Sequence, residues 1–192
     1  IRTSAPQGFL TVPLILDKVY GNVRKEIQAG GLKGALVGRA IAAKERLSTG
    51  RASLVDHLFF HTLGKKVVEK IRAQLAMRVG ANLEVLIVGS AKADPEALDF
   101  FHQVLDIATF EGYGATECAP LIAANHLGGR KVGTVGKPLI KVRIVDEEGQ
   151  EIGYGDPEGT YRPTGEKIGE LWASGPNVMK GYLNDSAQTE RA

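Results

Sequence analysis

Through the first eighty residues apolar positions recur at helical spacing, and near residue 83 that spacing gives way to short runs of strand length. Asp17 is placed to cap a helix in which Val19, Val23 and Ile27 recur every four residues, with Gly30 and Gly31 as its stop. Leu36, Val37, Ala40, Ile41, Lys44 and Leu47 form a second helical stripe that ends before Gly50. Ser53 opens a third segment reaching Leu63. A longer amphipathic helix then starts near Lys65, turns Val67, Val68, Ile71 and Leu75 inward, and stops at Gly80. Apolar stripes of this period mean packing, so these helices are expected to be core elements with solvated basic faces.

Residues 83–88 are an apolar run closed by Gly89, Ser90 and Ala91. Asp94, Pro95 and Glu96 then supply an N-cap, a proline at the first helical position and an acid in the first turn. That helix turns Leu98, Phe101 and Leu105 inward and ends near Asp106. A second strand over residues 107–110 is closed by Glu111, Gly112, Tyr113 and Gly114. Strand, helix and strand make a βαβ unit, which predicts parallel strands with a right-handed crossover.

From Gly133 onward the pattern is β-rich and punctuated by glycines. Residues 141–145 alternate, residues 146–149 (Asp-Glu-Glu-Gly) form a turn, and residues 154–166, rich in Gly, Pro and Thr, read as an exposed loop. Another strand covers residues 169–174, with Trp172 in its core. The expected class is α/β: a parallel-strand βαβ core with flanking helices, followed by a β-rich segment. Three segments result: a mainly helical part over 1–82, the βαβ part over 83–130 and the β-rich part over 131–192, all within one domain of a larger protein.

Composition adds little except exclusions. Of 192 residues, 43% are hydrophobic and 24% charged, as in soluble domains with a real core. The 24 basic and 22 acidic residues nearly cancel, and no basic run is interleaved with aromatics, so nucleic-acid binding is not expected. Cys118 is the only cysteine, which excludes an internal disulfide and fits a reducing, cytoplasmic setting. No apolar run approaches the ~20 residues of a membrane span, and residues 1–7 lack the features of a signal peptide. The chain begins at Ile1 rather than Met and stops at Arg191-Ala192 with no closing signal, so an internal piece of a longer protein is expected.

Ligands of parallel sheets bind beyond the carboxyl ends of the strands. The βαβ reading puts two loops there, one from Gly89 to Lys92 and one from Gly112 to Glu117. The first is small enough for backbone to approach a flat ring. The second carries an aromatic that can stack, a Thr hydroxyl that can donate to phosphate, and a carboxylate that can hold Mg²⁺. Those are the parts of a nucleotide site, although an ordinary turn fits the same residues equally.

Residues 111–117, EGYGATE, resemble the Tyr-Gly-x-Thr-Glu motif of the adenylate-forming superfamily of acyl-CoA synthetases, luciferases and peptide-synthetase adenylation domains. Other segments match in order. Residues 88–96, VGSAKADPE, are similar to the Gly-Gly-Ala-Pro loop and helix start that precede that motif. Residues 131–139, KVGTVGKPL, resemble the glycine-rich segment that follows it. Residues 169–184, GELWASGPNVMKGYLN, are especially like AMP-forming long-chain fatty acyl-CoA synthetases, as are Glu111 and the Pro13-Leu14 and Lys18-Val19-Tyr20 region. The resemblance covers most of the chain and is strongest over residues 83–191.

The resemblance implies a ligase that uses ATP, Mg²⁺ and CoA: a fatty-acid carboxylate is adenylated, and the CoA thiol then displaces AMP. By position, Tyr113 would lie against adenine, with Gly89, Ser90, Ala91, Glu111, Gly112 and Gly114 around the nucleotide. Thr116 would hydrogen-bond the α-phosphate and Glu117 would ligate Mg²⁺, making these two the catalytic pair. Ala119, Pro120 and Leu121 would border the acyl chain. Lys92 stands where the family usually has Pro, and residues 156–167 form a longer loop than usual. The family's Ser/Thr/Gly-rich phosphate loop, the Thr-Gly-Asp expected after Arg191 and the C-terminal domain with its catalytic Lys fall outside the chain, so this piece alone is expected to be inactive.

Rival readings are plainer. His57 and His61 are four residues apart, but no third ligand of suitable spacing joins them as a metal site. Cys118 lacks a nearby base and reads as a small packed residue. Lys65, Lys66, Lys70 and Arg72 read as a solvated face, with peripheral contact to lipid headgroups the alternative. A ligase for a bile, aryl or amino acid, and a non-catalytic nucleotide-binding module, remain the alternative functions. Intact Thr116 and Glu117 weigh against the latter.

Overall fold

Proline fixes φ and lacks an N–H, so it suits the first turn of a helix. Helix α1 (Pro13–Gln28) therefore starts at Pro13, after an extended Val12 with no side-chain cap. Asp17, expected as the cap, lies one turn inside and exposed, because the proline sets the start earlier. The computed structural model describes residues 6–165 and 167–191. Expectations touching residues 1–5, Glu166 and Ala192 lie outside the described residues.

Before α1 comes strand β1 (Gly8–Thr11), which has no counterpart in the sequence pattern. Helix α2 (Gly31–Ser48) begins at the second of the two glycines that end α1; Gly30 has φ +71°, a conformation open to glycine. Its inward face carries Val37, Ala40, Ile41 and Ala43. Helix α3 (Leu54–Phe59) starts on a capping box: the Ser53 side chain accepts from the Asp56 N–H, and the Asp56 carboxylate accepts from the Ser53 N–H. Arg46 of α2 grips the same carboxylate with two nitrogens, at 2.6 and 2.9 Å. That grip, followed by the Ser53 bonds, holds the Asp56 carboxyl well below the usual range. A π turn, Phe60–Gly64, joins α3 to α4 (Lys65–Val79), whose Val68, Ile71 and Leu75 are buried as the pattern predicts. The rings of His57 and His61 stack 6.4 Å apart.

Strand β2 (Val85–Val88) pairs parallel with β1, Gly8 facing Val85 and Thr11 facing Val88. Helix α5 (Pro95–Asp99) is capped by Asp94, whose side chain accepts from the Glu96 N–H, and continues as a π turn, Phe100–Val104. Phe100, Phe101, Leu98, Val104 and Leu105 are almost fully enclosed and form the centre of this part of the core. Phe100 meets Tyr20 of α1 with ring centroids 5.2 Å apart. Strand β3 (Ala108–Gly114) starts beside β2, the Ala108 N–H donating to Glu84 O at 2.7 Å.

Contacts divide the chain into two compact units, with the boundary between Phe110 and Glu111 inside β3. In the second unit the end of β3 pairs antiparallel with β4 (Leu121–Ala124), and β4 with β5 (Lys137–Pro138). A separate antiparallel sheet has the order β8-β7-β6-β9, from β6 (Lys141–Val145), β7 (Glu151–Gly155), β8 (Tyr161–Arg162) and β9 (Glu170–Ser174). A short α6 (Ser186–Thr189) follows. Helices around a parallel strand pair, followed by antiparallel strands, bear out the α/β class. Among the described residues no helix is long and apolar enough to cross a membrane.

Two expectations for the β-rich part need correction. The stretch read as an exposed loop over 154–166 contains a hairpin, since Tyr154 and Gly155 pair with Arg162 and Tyr161. Its turn is organised by the buried Asp156, whose side chain accepts from the Thr160 N–H at 2.8 Å and from the Tyr154 hydroxyl at 3.2 Å. Trp172 is not a core residue but 51% exposed. The period of two turns its neighbours Leu171 and Ala173 inward, against the Cys118, Ile122 and Ile140 cluster, and leaves Trp172 on the other face beside Arg143.

Tyr20 offers a pH test of the first unit. Burial, then its hydrogen bond to Glu96, pushes its pKa up to about 12. The raised value means that its contribution to stability is complete below the ordinary tyrosine value near ~10 and is lost as pH rises toward about 12. Ultraviolet titration is expected to show a tyrosine ionising near 12 that disappears in Tyr20→Phe.

Candidate functional site

The signature residues do not form a flexible loop. Gly112, Tyr113 and Gly114 continue β3, facing Ala124, Ala123 and Leu121 of β4, with an irregularity between Tyr113 and Gly114. The glycines keep their backbone donors and acceptors, and an adjacent antiparallel strand satisfies them. Gly114 is required by space: a Cβ there would sit 1.7 Å from the carbonyl oxygen of Pro120. Tyr113 is 41% exposed at the end of this strand. An exposed aromatic on a paired strand is a more rigid stacking surface than one on a free loop.

After β3 the chain tightens into a 3₁₀ turn, Thr116–Cys118. Thr116 is exposed, Glu117 is half-buried and Cys118 is buried, the packed residue that the sequence suggested. Ala119 closes the turn in the left-handed region at φ +51° and sends the chain into β4. Ala119 and Pro120 are exposed, and Leu121 is half-buried.

A segment some sixty residues further on fastens this turn. The Asn177 side-chain amide donates to Cys118 O at 2.6 Å and to Leu121 O at 3.0 Å, and the Met179 N–H donates to Glu117 O at 2.7 Å. The Tyr182 hydroxyl donates to the Glu117 carboxylate, Oε1, at 2.5 Å. That bond holds the Glu117 carboxyl below the usual range and pushes the Tyr182 phenol up, burial adding to the latter.

Glu111 plays a different local part. Its carboxylate accepts from the Gly133 N–H at 3.0 Å, and its carbonyl accepts from the Asn125 N–H at 2.9 Å. Asn125, only 6% exposed, donates to Thr134 O and accepts from the Lys131 N–H. Glu111 and Asn125 thus shape the glycine-rich stretch over 131–136. Asn125 did not stand out in the sequence, whereas Asn177 and Tyr182 lay within the GELWASGPNVMKGYLN stretch but were assigned no role there.

In the first unit the Gly89 N–H donates to Thr11 O at 3.1 Å, so β1 steadies the start of the Gly89–Lys92 turn. Ser90 has φ +74°, unusual for a non-glycine and strained by about 1–3 kcal/mol. Ser90, Ala91 and Lys92 are exposed.

Thr116 and Glu117 offer hard oxygen donors, the kind Mg²⁺ takes. Among the described residues no group of three or more His, Cys, Asp or Glu side chains comes together for a metal ion. One carboxylate beside substrate phosphates is a normal setting for Mg²⁺, so the residues fit that ion.

The architecture is an α/β fold with a Thr-Glu turn tethered by the segment from Asn177 to Tyr182. Two solved structures share the fold over 100% of this chain: a malonyl-CoA ligase with methylmalonyl-CoA and AMP bound (TM-score 0.55, 17% identity, 29% of that chain), and the Vibrio cholerae adenylation domain AlmE with glycyl-adenosine-5'-phosphate (TM-score 0.52, 18% identity, 27% of that chain). The chain belongs to the AMP-binding enzyme family, whose model matches residues 1–183. It is 31% identical over 200 residues to long-chain-fatty-acid–CoA ligase 6 of Rattus norvegicus and 30% identical over 198 residues to ligase 1 of Homo sapiens. In both cases 100% of this chain and 25% of the relative are covered, so the chain spans about a quarter of their length.

Proposed function

We propose that this chain is part of an AMP-forming long-chain fatty acid–CoA ligase and carries part of its adenylation site. The observation that carries the reading is the Glu117 carboxylate, tied by Tyr182, next to exposed Thr116 and four residues beyond exposed Tyr113. In the first step a carboxylate oxygen of the fatty acid attacks the α-phosphorus of ATP; the bond to the bridging oxygen breaks, leaving acyl-AMP and pyrophosphate. The CoA sulfur then attacks the acyl carbonyl, loses its proton, and AMP departs.

Tyr113 stacks on adenine, while Glu111, Gly112 and Gly114 shape the strand end that presents it. Gly89, Ser90 and Ala91 of the first unit are assigned a contact with the purine on resemblance alone. Thr116 donates to an α-phosphate oxygen as charge shifts onto it. Glu117 would hold Mg²⁺, which, when bound, would offset phosphate charge facing the incoming carboxylate. Ala119, Pro120 and Leu121 border the acyl chain. A cytoplasmic site of action, with peripheral lipid contact through the exposed Lys65-Lys66 face, belongs to the same reading and draws on the reduced thiol Cys118.

The test is pyrophosphate exchange by the complete protein with acids of graded chain length. Exchange is expected to be fastest with long-chain fatty acids and absent from the 192-residue chain alone. A maximum with aryl or amino acids would overturn the substrate assignment, and acyl-AMP formation by the chain alone would overturn its dependence on further segments.

A further inference from the structure

The Glu117 carboxylate is not left to choose its own rotamer. Three groups of one later segment reach the Thr116–Leu121 turn, and each does something different. Asn177 ties down two carbonyls, at Cys118 and Leu121, and so fixes the path of the turn. Met179 holds the backbone of Glu117 itself through its carbonyl. Tyr182 alone touches the Glu117 side chain. The phenol is aimed in turn, because the Tyr182 N–H donates to the Thr189 hydroxyl of α6 at 2.8 Å, and a bridge joins Tyr182 to Asp185. The carboxylate is thus held from α6 through Tyr182, and its backbone from Met179. A side chain needed only for packing would not require a hydroxyl directed at a charged oxygen.

We infer that Tyr182 is a positioning residue for the adenylation step: its hydroxyl orients the Glu117 carboxylate toward the metal, and its loss weakens metal binding without altering recognition of the acid or of CoA. This rests on the assignment of Glu117 to Mg²⁺ proposed above. Partners that orient a metal-bound carboxylate commonly change metal affinity by about 10–100-fold when removed. Tyr182→Phe deletes one oxygen and leaves the half-buried ring in place.

The test uses the complete protein loaded with ATP, with Mn²⁺ as the probe and free Mn²⁺ read by electron paramagnetic resonance. Tyr182→Phe is expected to weaken Mn²⁺ binding about 10-fold or more. It is also expected to lower kcat, to leave KM for fatty acid and CoA unchanged, and to keep the melting midpoint. The double variant Tyr182→Phe/Glu117→Gln should bind Mn²⁺ no more weakly than Glu117→Gln alone, since the hydroxyl acts through that carboxylate. Thr189→Val, which removes the backbone anchor and spares the phenol, should shift Mn²⁺ affinity in the same direction by less.

Wild-type Mn²⁺ affinity in Tyr182→Phe beside a weakened Glu117→Gln would sink the inference and leave the metal assignment standing. Wild-type affinity in Glu117→Gln would sink both. Losses that add in the double variant, or that raise KM for acid and CoA together, mark Tyr182 as structural only and also overturn it. Should Tyr182→Phe fail to fold, Thr189→Val decides, and an unchanged affinity there overturns the proposal.

Discussion

Glu117→Gln and Thr116→Val, each in the complete protein, are expected to slow acyl-adenylate formation by about 10²–10³-fold. Glutamine keeps the size of the side chain and an oxygen that can accept from Tyr182, so the turn should persist while the charge is lost. Valine keeps the shape of threonine and removes its only donor. Both changes act where negative charge moves during attack at phosphorus, so the loss should fall on kcat rather than on KM for the fatty acid. Single-turnover acyl-AMP formation and pyrophosphate exchange measure it. Wild-type rates in either variant would discard that residue's role.

The second large effect concerns stability. Phe100→Ala should destabilise the first unit by about 3–5 kcal/mol, as expected for emptying a buried aromatic site. Phe100 is 1% exposed, packs against Tyr20 of α1 and against Phe101, and sits in a π turn whose other apolar residues are equally enclosed. No polar group or water can fill the space without a hydrogen-bonding partner, so the cavity should remain largely apolar. Native-state hydrogen exchange is the suitable measurement. The protected amides of α5 and β2 should exchange at least about 100-fold faster, at ~1.4 kcal/mol per decade. Unchanged protection would mean that this cluster is not the centre of the unit.

What the sequence conveyed depended on how local each cause was. Ser53 with Asp56, and Asp94 with Pro95, act within four residues, so their helix starts were legible. The stripe Val68, Ile71 and Leu75 was legible for the same reason. Strand β1 was not, because GFLT is short and its reason to be extended lies at Val85–Val88. The extension of β3 through Gly112, Tyr113 and Gly114 depends on β4, and a glycine-flanked tyrosine without that partner reads as a loop. The hairpin of β7 and β8 was hidden by turn-forming residues, since the Asp156 contacts that order it are not a pattern. Thr116 and Glu117, the pair proposed to act in adenylation, were named from their motif, whereas Tyr182 lies 65 positions from Glu117 and could be joined to it only in three dimensions.

The wide turn between α3 and α4 has a consequence for the length of the chain. Phe60–Gly64 holds one residue more than an α-helical turn, and a Cβ on Gly64 would come within 2.9 Å of the Phe60 ring. Deleting one residue there restores ordinary winding, and because the wide turn had absorbed the extra residue, everything after it keeps its phase around the helix axis. Val68, Ile71 and Leu75 then stay on the inward face, whereas a residue lost further along α4 would turn those beyond it toward water. Replacing exposed His61 leaves that phase intact as well, so the wide turn is a place where this helix pair can lose a step.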